Sequence, residues 1–379
     1  MLPRQLDIYQ SNMIHMYSSL EGEIIKIIIK RLKGKGKILD WQAQSFKNLQ
    51  LFNQEVMEHI AKVTNISEQR LLEIFEETGR FAVEDIDKRV PYSKRPIPNE
   101  IDNIMRGYFN QAQTGIDNLV NQTLVSRTVG MGSATQAYVD VLNRASALYS
   151  SGIMTENQAL EKAVQELAQK GLRSGFVDKS GRQWSVDRYV RTVLRTTMSN
   201  TMDEVRKERM DEYNIHAVVV TSHVGAREAC TRIQANVVDL RPMSELPDNP
   251  KYRSIYDPYW KADYLEPHGH HGINCMHLHI PFVDGFSVNN QPKVDDELNE
   301  RVRENRTKQR QLERDIVKYK KNKMVSENVG NMDEAKKWQK KVSWKQKQMR
   351  EHLKNNGEYL SRDYSREKVY TPLSEILQQ

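Results

Sequence analysis

Residues 217–227 read Ala-Val-Val-Val-Thr-Ser-His-Val-Gly-Ala-Arg, and residues 268–282 read His-Gly-His-His-Gly-Ile-Asn-Cys-Met-His-Leu-His-Ile-Pro-Phe. These two stretches decide the fold, because the chain on either side of them carries helical periodicity and they do not. The short β-branched run Ala217–Thr221 predicts a strand, where branched side chains pack well on the pleat. Between the two stretches, Pro242, Pro247, Pro250, Pro258 and Pro267 alternate with Tyr252, Tyr256, Tyr259, Trp260 and Tyr264. Little regular helix survives so many missing amide donors. Residues 216–292 are therefore expected to form a small irregular α+β module. That module holds both cysteines and seven of the ten histidines.

Outward from it the pattern is helical. Leu6, Tyr9, Met13, Met16, Leu20, Ile24 and Ile27 recur at three- and four-residue steps, which places them on one helical face. Phe46, Leu49, Val56 and Ile60 predict a second helix. A third is expected to start near Asn65, with Glu68 completing a capping box. Pro91, Pro96 and Pro98 mark a stiff linker, followed by a long helix over residues 100–125 and a break at Gly130 and Gly132. Thr155 and Gln158 form a second capping-box signature, opening a helix with Leu160, Val164 and Leu167 that stops at Lys170-Gly171. Gly175–Trp184 reads as a β-hairpin turning at Lys179–Gly181. Ser185 then opens a helix to about Tyr213, on which Arg188, Arg191 and Arg195 read as surface or interface arginines.

Beyond Pro292, Leu298, Val302, Asn305, Gln309, Leu312, Ile316 and Tyr319 follow alternating four- and three-residue steps. Trp338, Val342, Lys345, Met349 and His352 repeat that step after a turn near Gly330. This predicts a helical hairpin or coiled coil whose polar seam favours a partner chain. The expected architecture is mainly α, with a small metal-stapled α+β module and a C-terminal helical hairpin or coiled coil. Four segments follow: an N-terminal helical region (1–90), a helical domain with a small β-hairpin (91–215), the Cys/His-rich module (216–292) and a basic tail (293–379).

The chain of 379 residues is 38% apolar and 28% charged, with a formal net charge of +7. The sparse glycine without a period excludes collagen-like classes. The most apolar run, Ile24–Ile29, is broken by Lys26 and falls short of the about 20 residues that cross a bilayer. The opening MLPRQLDIYQ has no apolar core of a signal peptide, so a protein made in the cytoplasm without membrane attachment is expected. Residues 293–379 carry 22 Lys and Arg against 15 Asp and Glu, so the whole positive excess lies in the tail. A basic tail suits an anionic partner such as DNA; a lysine-rich solvated surface is the plainer alternative.

Two cysteines cannot form a disulfide framework. Zinc takes thiolate and imidazole in tetrahedral sets. Were Cys275-Met276-His277 a strand, its outer two side chains would share a face. With His223 at the end of the preceding strand and Cys230 beyond it, the candidate ligands are His223, Cys230, Cys275 and His277. A Cys230–Cys275 disulfide, or no link at all, remain the alternatives. Catalysis has weaker support. His271, Asn274 and His277 offer the elements of a metal-dependent nuclease or delivered toxin, but no helix signal follows Ile280-Pro281-Phe282. There is no nucleophile elbow, phosphate loop or dinucleotide fingerprint, and no enzyme is expected.

Thr221-Ser222-His223-Val224-Gly225-Ala226-Arg227, then Cys230 and Gln234, then Gly272-Ile273-Asn274-Cys275-Met276-His277 and Pro281-Phe282 together resemble the phage minor capsid protein 2 (head morphogenesis) family, similar to Mu F-like and SPP1-type minor head proteins. The order of helices and the hairpin over residues 1–290 also fits. The chain departs from the family pattern at Gln234-Ala235, where glycine usually follows the glutamine. The resemblance implies a protein built into a phage head near the portal vertex, acting in head morphogenesis and in DNA packaging or delivery. It further implies portal or major capsid protein as partners, and a basic tail that faces packaged DNA.

Overall fold

A computed structural model describes residues 3–33, 38–118, 133–151, 154–177, 181, 183–372 and 375. The elements run α1 (Pro3–Leu32), α2 (Ile38–Arg89), α3 (Asn99–Asn118), α4 (Ser133–Ser150), α5 (Glu156–Lys170), β1 (Arg173–Val177), β2 (Gln183–Ser185) and α6 (Val186–Glu212). They continue as β3 (Ala217–Val220), α7 (Glu228–Thr231), β4 (Val237–Asp239), β5 (His279–Pro281), α8 (Asp296–Val329) and α9 (Met332–Asn356). The chain is thus mainly helical, with a small sheet between long helices and a helical pair at the C-terminal end, as the periodicity predicts.

The chain divides into two compact units. One contains Met1–Gln10, Leu71–Ala112 and Thr192–Lys308; the other contains Ser11–Arg70, Gln113–Arg191 and Gln309–Gln379.

In the first unit, β3 is the central strand of an antiparallel sheet ordered β4-β3-β5. Val218 pairs with Val238 on one side and Pro281 on the other. A central strand is covered on both faces, and Val218, Val219 and Val220 are all buried. Val218 and Val220 share a core with Ile86 and Val90 at the end of α2, with Met210 and Tyr213 on α6, and with Ile233, Ile255 and Trp260. Two arginines on α6 are fully buried by ion pairing. Arg206 pairs with Asp85 and donates to the His279 carbonyl through Nη2 at 2.9 Å. Arg209 grips Asp87 with two parallel hydrogen bonds of 2.8 and 3.0 Å. It also donates to the carbonyls of Pro96 and Arg95 at 3.0 and 2.8 Å, holding the proline-rich linker down.

In the second unit, Met16, Leu20, Ile24 and Ile27 of α1 are buried as one face; the side chains of Leu6, Tyr9 and Met13 fall outside the described residues. The capping box at Thr155 is formed in both directions, Gln158 Oε1 accepting from the Thr155 amide at 2.9 Å. Gly171 ends α5 with φ 75°. Leu312 and Ile316 on α8 pack against Val342 and Met349 on α9, with the turn at Gly330 in the left-handed region at φ 93°. The C-terminal segment returns to α1. Thr371 Oγ1 lies 2.8 Å from His15 Nε2, Ser18 donates to the Val369 carbonyl, and the Tyr370 hydroxyl donates to Glu23. Gly22 admits the Tyr370 ring, since a Cβ there would stand 2.4 Å from it.

One expectation changes, and two others hold as far as the described residues reach. The helices expected over Phe46–Ile60 and from Asn65 are one helix, α2, and Asn65 is an exposed mid-helix residue. Its capping signature has no effect because no proline or glycine precedes it to break the ladder. The β1–β2 hairpin forms, with its turn residues Lys179 and Ser180 outside the described chain. The helix expected over 100–125 is described to Asn118, and the break at Gly130 and Gly132 also lies outside the described residues.

Candidate metal centre

The site is assembled by the loops at one end of the β4-β3-β5 sheet. β3 delivers the chain to Thr221, and Gly225 turns it at φ 79° into the short α7, which carries Cys230. Residues 261–277 form a tight loop with Lys261, Asp263, Leu265, His271 and Asn274 all at positive φ. It closes on itself through His270 N to the Ala262 carbonyl at 2.7 Å and Leu265 N to the His270 carbonyl at 2.9 Å. Two glycines make this possible: a Cβ on Gly269 would meet the Asp263 carbonyl oxygen at 1.7 Å, and one on Gly272 the Glu266 oxygen at 2.0 Å. Arg227 clamps the loop from outside, donating to the carbonyls of His268 at 3.1 Å and Ile273 at 2.6 Å.

The result is one set of convergent donor atoms. Cys230, His270, Cys275 and His277 each present a ligand atom, all within 4.8 Å of one another. Cys230, His270 and His277 are buried. The two sulfurs are 4.0 Å apart and both thiols are free, and Cys275 Sγ lies 3.4 Å from His277 Nδ1. A tetrahedral zinc with bonds of about 2.3 Å to sulfur and about 2.05 Å to nitrogen spaces its sulfurs about 3.8 Å apart, and sulfur from nitrogen about 3.6 Å. The donor set fits that ion. His277 Nε2 faces Gln234 Oε1 at 3.1 Å, the outer partner that orients a metal-binding imidazole. His270 Nδ1 is buried with no hydrogen-bond partner.

Electrostatics prepare the same chemistry. Cys275 is held far below the usual thiol range, first by the hydrogen bond from Cys230 and then by His270 and His277, against the opposing effect of burial. Cys230 is pushed up by the same sulfur–sulfur hydrogen bond and by burial. Burial lowers His270 to about 3 and, with His277, lowers His223 to about 4. A thiolate at Cys275 beside a neutral imidazole at His270 suits a soft divalent ion.

Of the four sequence-derived candidates, the structure brings Cys230, Cys275 and His277 together. It adds His270, which sequence reasoning did not select. His223 lies alongside: its ring stacks on His277 at 4.3 Å between centroids, and its Nδ1 faces the Val224 carbonyl at 3.3 Å. Cys275-Met276-His277 is not a strand, since β5 begins at His279; the two side chains meet from the irregular segment that precedes it. Asn274 is exposed at φ 60°, while His271 points to Asp203 on α6 with Nδ1 at 2.8 Å from Oδ2. After β5 no helix forms until Asp296.

A buried cluster of cysteine and histidine side chains at one end of a three-stranded sheet, in a mainly helical chain, could hold a metal ion. The chain belongs to the phage minor capsid protein 2 family, whose model matches residues 1–354. It is 28% identical over 368 residues to a structural protein of Lactococcus phage LL-H, covering 94% of this chain and 98% of that protein. A structural protein of Lactococcus phage mv4 is 36% identical over 121 residues, covering 32% of this chain and 94% of that protein. No solved structure matches the chain. No helix among the described residues is long and apolar enough to cross a membrane.

Proposed function

We propose that this minor capsid protein is a head component near the portal vertex, acting in head morphogenesis and in DNA packaging or delivery. Portal or major capsid protein is its partner, and its Cys/His centre is a structural zinc staple. The observation that carries this reading is the buried four-donor set in a chain of the minor capsid family. Cys230, His270, Cys275 and His277 would hold the ion, and thiolate with imidazole favours zinc. The staple would fix a loop-rich segment whose backbone forms few ladder hydrogen bonds. Gln234 would keep His277 in its ligating tautomer, and Arg227 would keep the loop closed over the sulfurs.

The head assignment is tested by counting copies per purified particle with quantitative mass spectrometry. A low fixed number supports it, and absence from particles overturns it.

DNA binding is assigned to α9. That helix carries eight Lys and Arg against three Asp and Glu, and Lys340, Lys347, Arg350 and Lys354 are exposed. Replacing these four by glutamine should weaken DNA retention and flatten its salt dependence. The log–log slope should fall by about 0.9 for each phosphate that is no longer neutralised. An unchanged slope removes α9 from the reading. Substitution is the right perturbation here because removing the tail would also strip residues 369–371 from α1.

A further inference from the structure

Behind the cysteines lies a second group of donors. His270, His271 and His279 present ligand atoms within 4.8 Å of one another, and all three side chains are buried. His270 Nε2 and His279 Nε2 are 3.1 Å apart, close to the about 3.4 Å that a tetrahedral ion sets between two imidazole nitrogens. His271 is held by Asp203 through Nδ1, which leaves its Nε2 as the free donor; that atom is buried without a hydrogen-bond partner. Asp203 Oδ1 is likewise buried and unpartnered. A carboxylate gripping one ring nitrogen of a histidine, so that the other is presented, is the outer arrangement found around metal-bound imidazoles. An unfilled cluster of such atoms is costly, because a buried polar atom without a partner loses its hydration for nothing.

We propose that the chain binds two divalent metal ions, the second held by His270, His271 and His279 with Asp203 as the orienting carboxylate, and that His270 bridges the pair. His270 would bind the first ion through Nδ1 beside Cys230, Cys275 and His277, and the second through Nε2. Neutral imidazole carries one N–H proton, so occupancy of both nitrogens releases that proton to solvent and leaves a bridging imidazolate. The ligands are nitrogen only, which suits zinc and other borderline divalent ions. The proposal rests on the cysteine centre only through the shared His270.

The test is metal stoichiometry of the full-length chain produced in zinc-supplemented medium and purified without chelator. Elemental analysis should give two zinc ions per chain for the natural protein, and one for His279→Gln and for Asp203→Asn. Protein produced with cobalt provides a second readout, because only sulfur-bound cobalt gives a thiolate charge-transfer band. That band should be unchanged in both variants while total cobalt falls by half. One ion per chain in the natural protein, with the band present, overturns the second site and leaves the cysteine centre standing; the histidine cluster then encloses water. Two ions that persist in His279→Gln also overturn it. Zero ions overturns both readings. The stoichiometry of the natural chain decides the matter even if a variant does not fold.

Discussion

Replacing His270 by alanine, beside the same change at His223, separates a metal ligand from its neighbour. A structural zinc bound by four donors contributes about 10–16 kcal/mol, so each donor accounts for roughly 2.5–4 kcal/mol, on the order of a hundredfold to a thousandfold in affinity. His270 offers a buried nitrogen with no other partner, so His270→Ala should weaken metal binding by that factor. His223 Nε2 is also buried without a partner, but His223 lies outside the convergent donor set; its ring stacks on His277 at 4.3 Å and its Nδ1 faces a carbonyl. His223→Ala removes packing beside the site but none of the four convergent donors, and the expected loss is below the about tenfold that accompanies loss of a hydrogen-bonded outer partner. The assay is a chelator titration of cobalt-loaded full-length protein, followed at the thiolate charge-transfer band so that only the cysteine centre is read. A band lost in His223→Ala and kept in His270→Ala would refute the reasoning and make His223 the fourth ligand. A band absent from the natural protein would remove the two sulfurs from metal binding altogether.

Ala235 occupies the left-handed region at φ 62°, so Ala235→Gly should stabilise the first unit by about 0.5–1 kcal/mol after the extra flexibility of glycine in the unfolded chain is deducted; urea unfolding midpoints measure it. Arg209→Met leaves Asp87 buried without its bidentate partner, and should cost about 3–5 kcal/mol in the same measurement. A loss under about 1 kcal/mol would show that the pair contributes little. Burial pushes the Asp85 carboxyl up, but the Arg206 guanidinium outweighs it and holds the group below its usual range. A depressed folded value gives stability that is present above the unfolded carboxylate value of about 3.9 and lost as pH falls through the folded one. The stability difference between the natural protein and Asp85→Asn should therefore be constant above about pH 5 and shrink on further acidification; a difference independent of pH down to about 2 would contradict the assignment.

How much of this is legible in the sequence depends on whether a contact follows from spacing. The buried faces of α1 and of the α8–α9 pair follow from three- and four-residue steps, and the capping box at Thr155 from two residues three apart. Cys230, Cys275 and His277 can be singled out because both cysteines sit in a histidine-rich segment without helical periodicity. His270 cannot: it reaches the sulfurs only because the 261–277 loop folds over Gly269 and Gly272, and no repeat in the sequence encodes that closure. His223 is eligible as a strand-end residue, yet Gly225 turns the chain immediately after it. Arg206 and Arg209 lie in a run of charges, Glu204 to Glu212, that reads as a solvated face. Their burial depends on Asp85 and Asp87, more than a hundred residues away, which only the tertiary fold brings near. Ala235, where the family resemblance leads one to expect glycine, stands in the left-handed conformation that glycine adopts freely.

The strap of residues 369–371 across α1 has a consequence in time. His15 and Thr371 are separated by 356 positions, so α1 waits for a partner that is made that much later. At about 5–20 residues per second, that interval is roughly 20–70 s of synthesis. The second unit can close this strap only after that interval. A chain cut before Val369 therefore leaves His15, Ser18 and Glu23 of α1 without these hydrogen bonds.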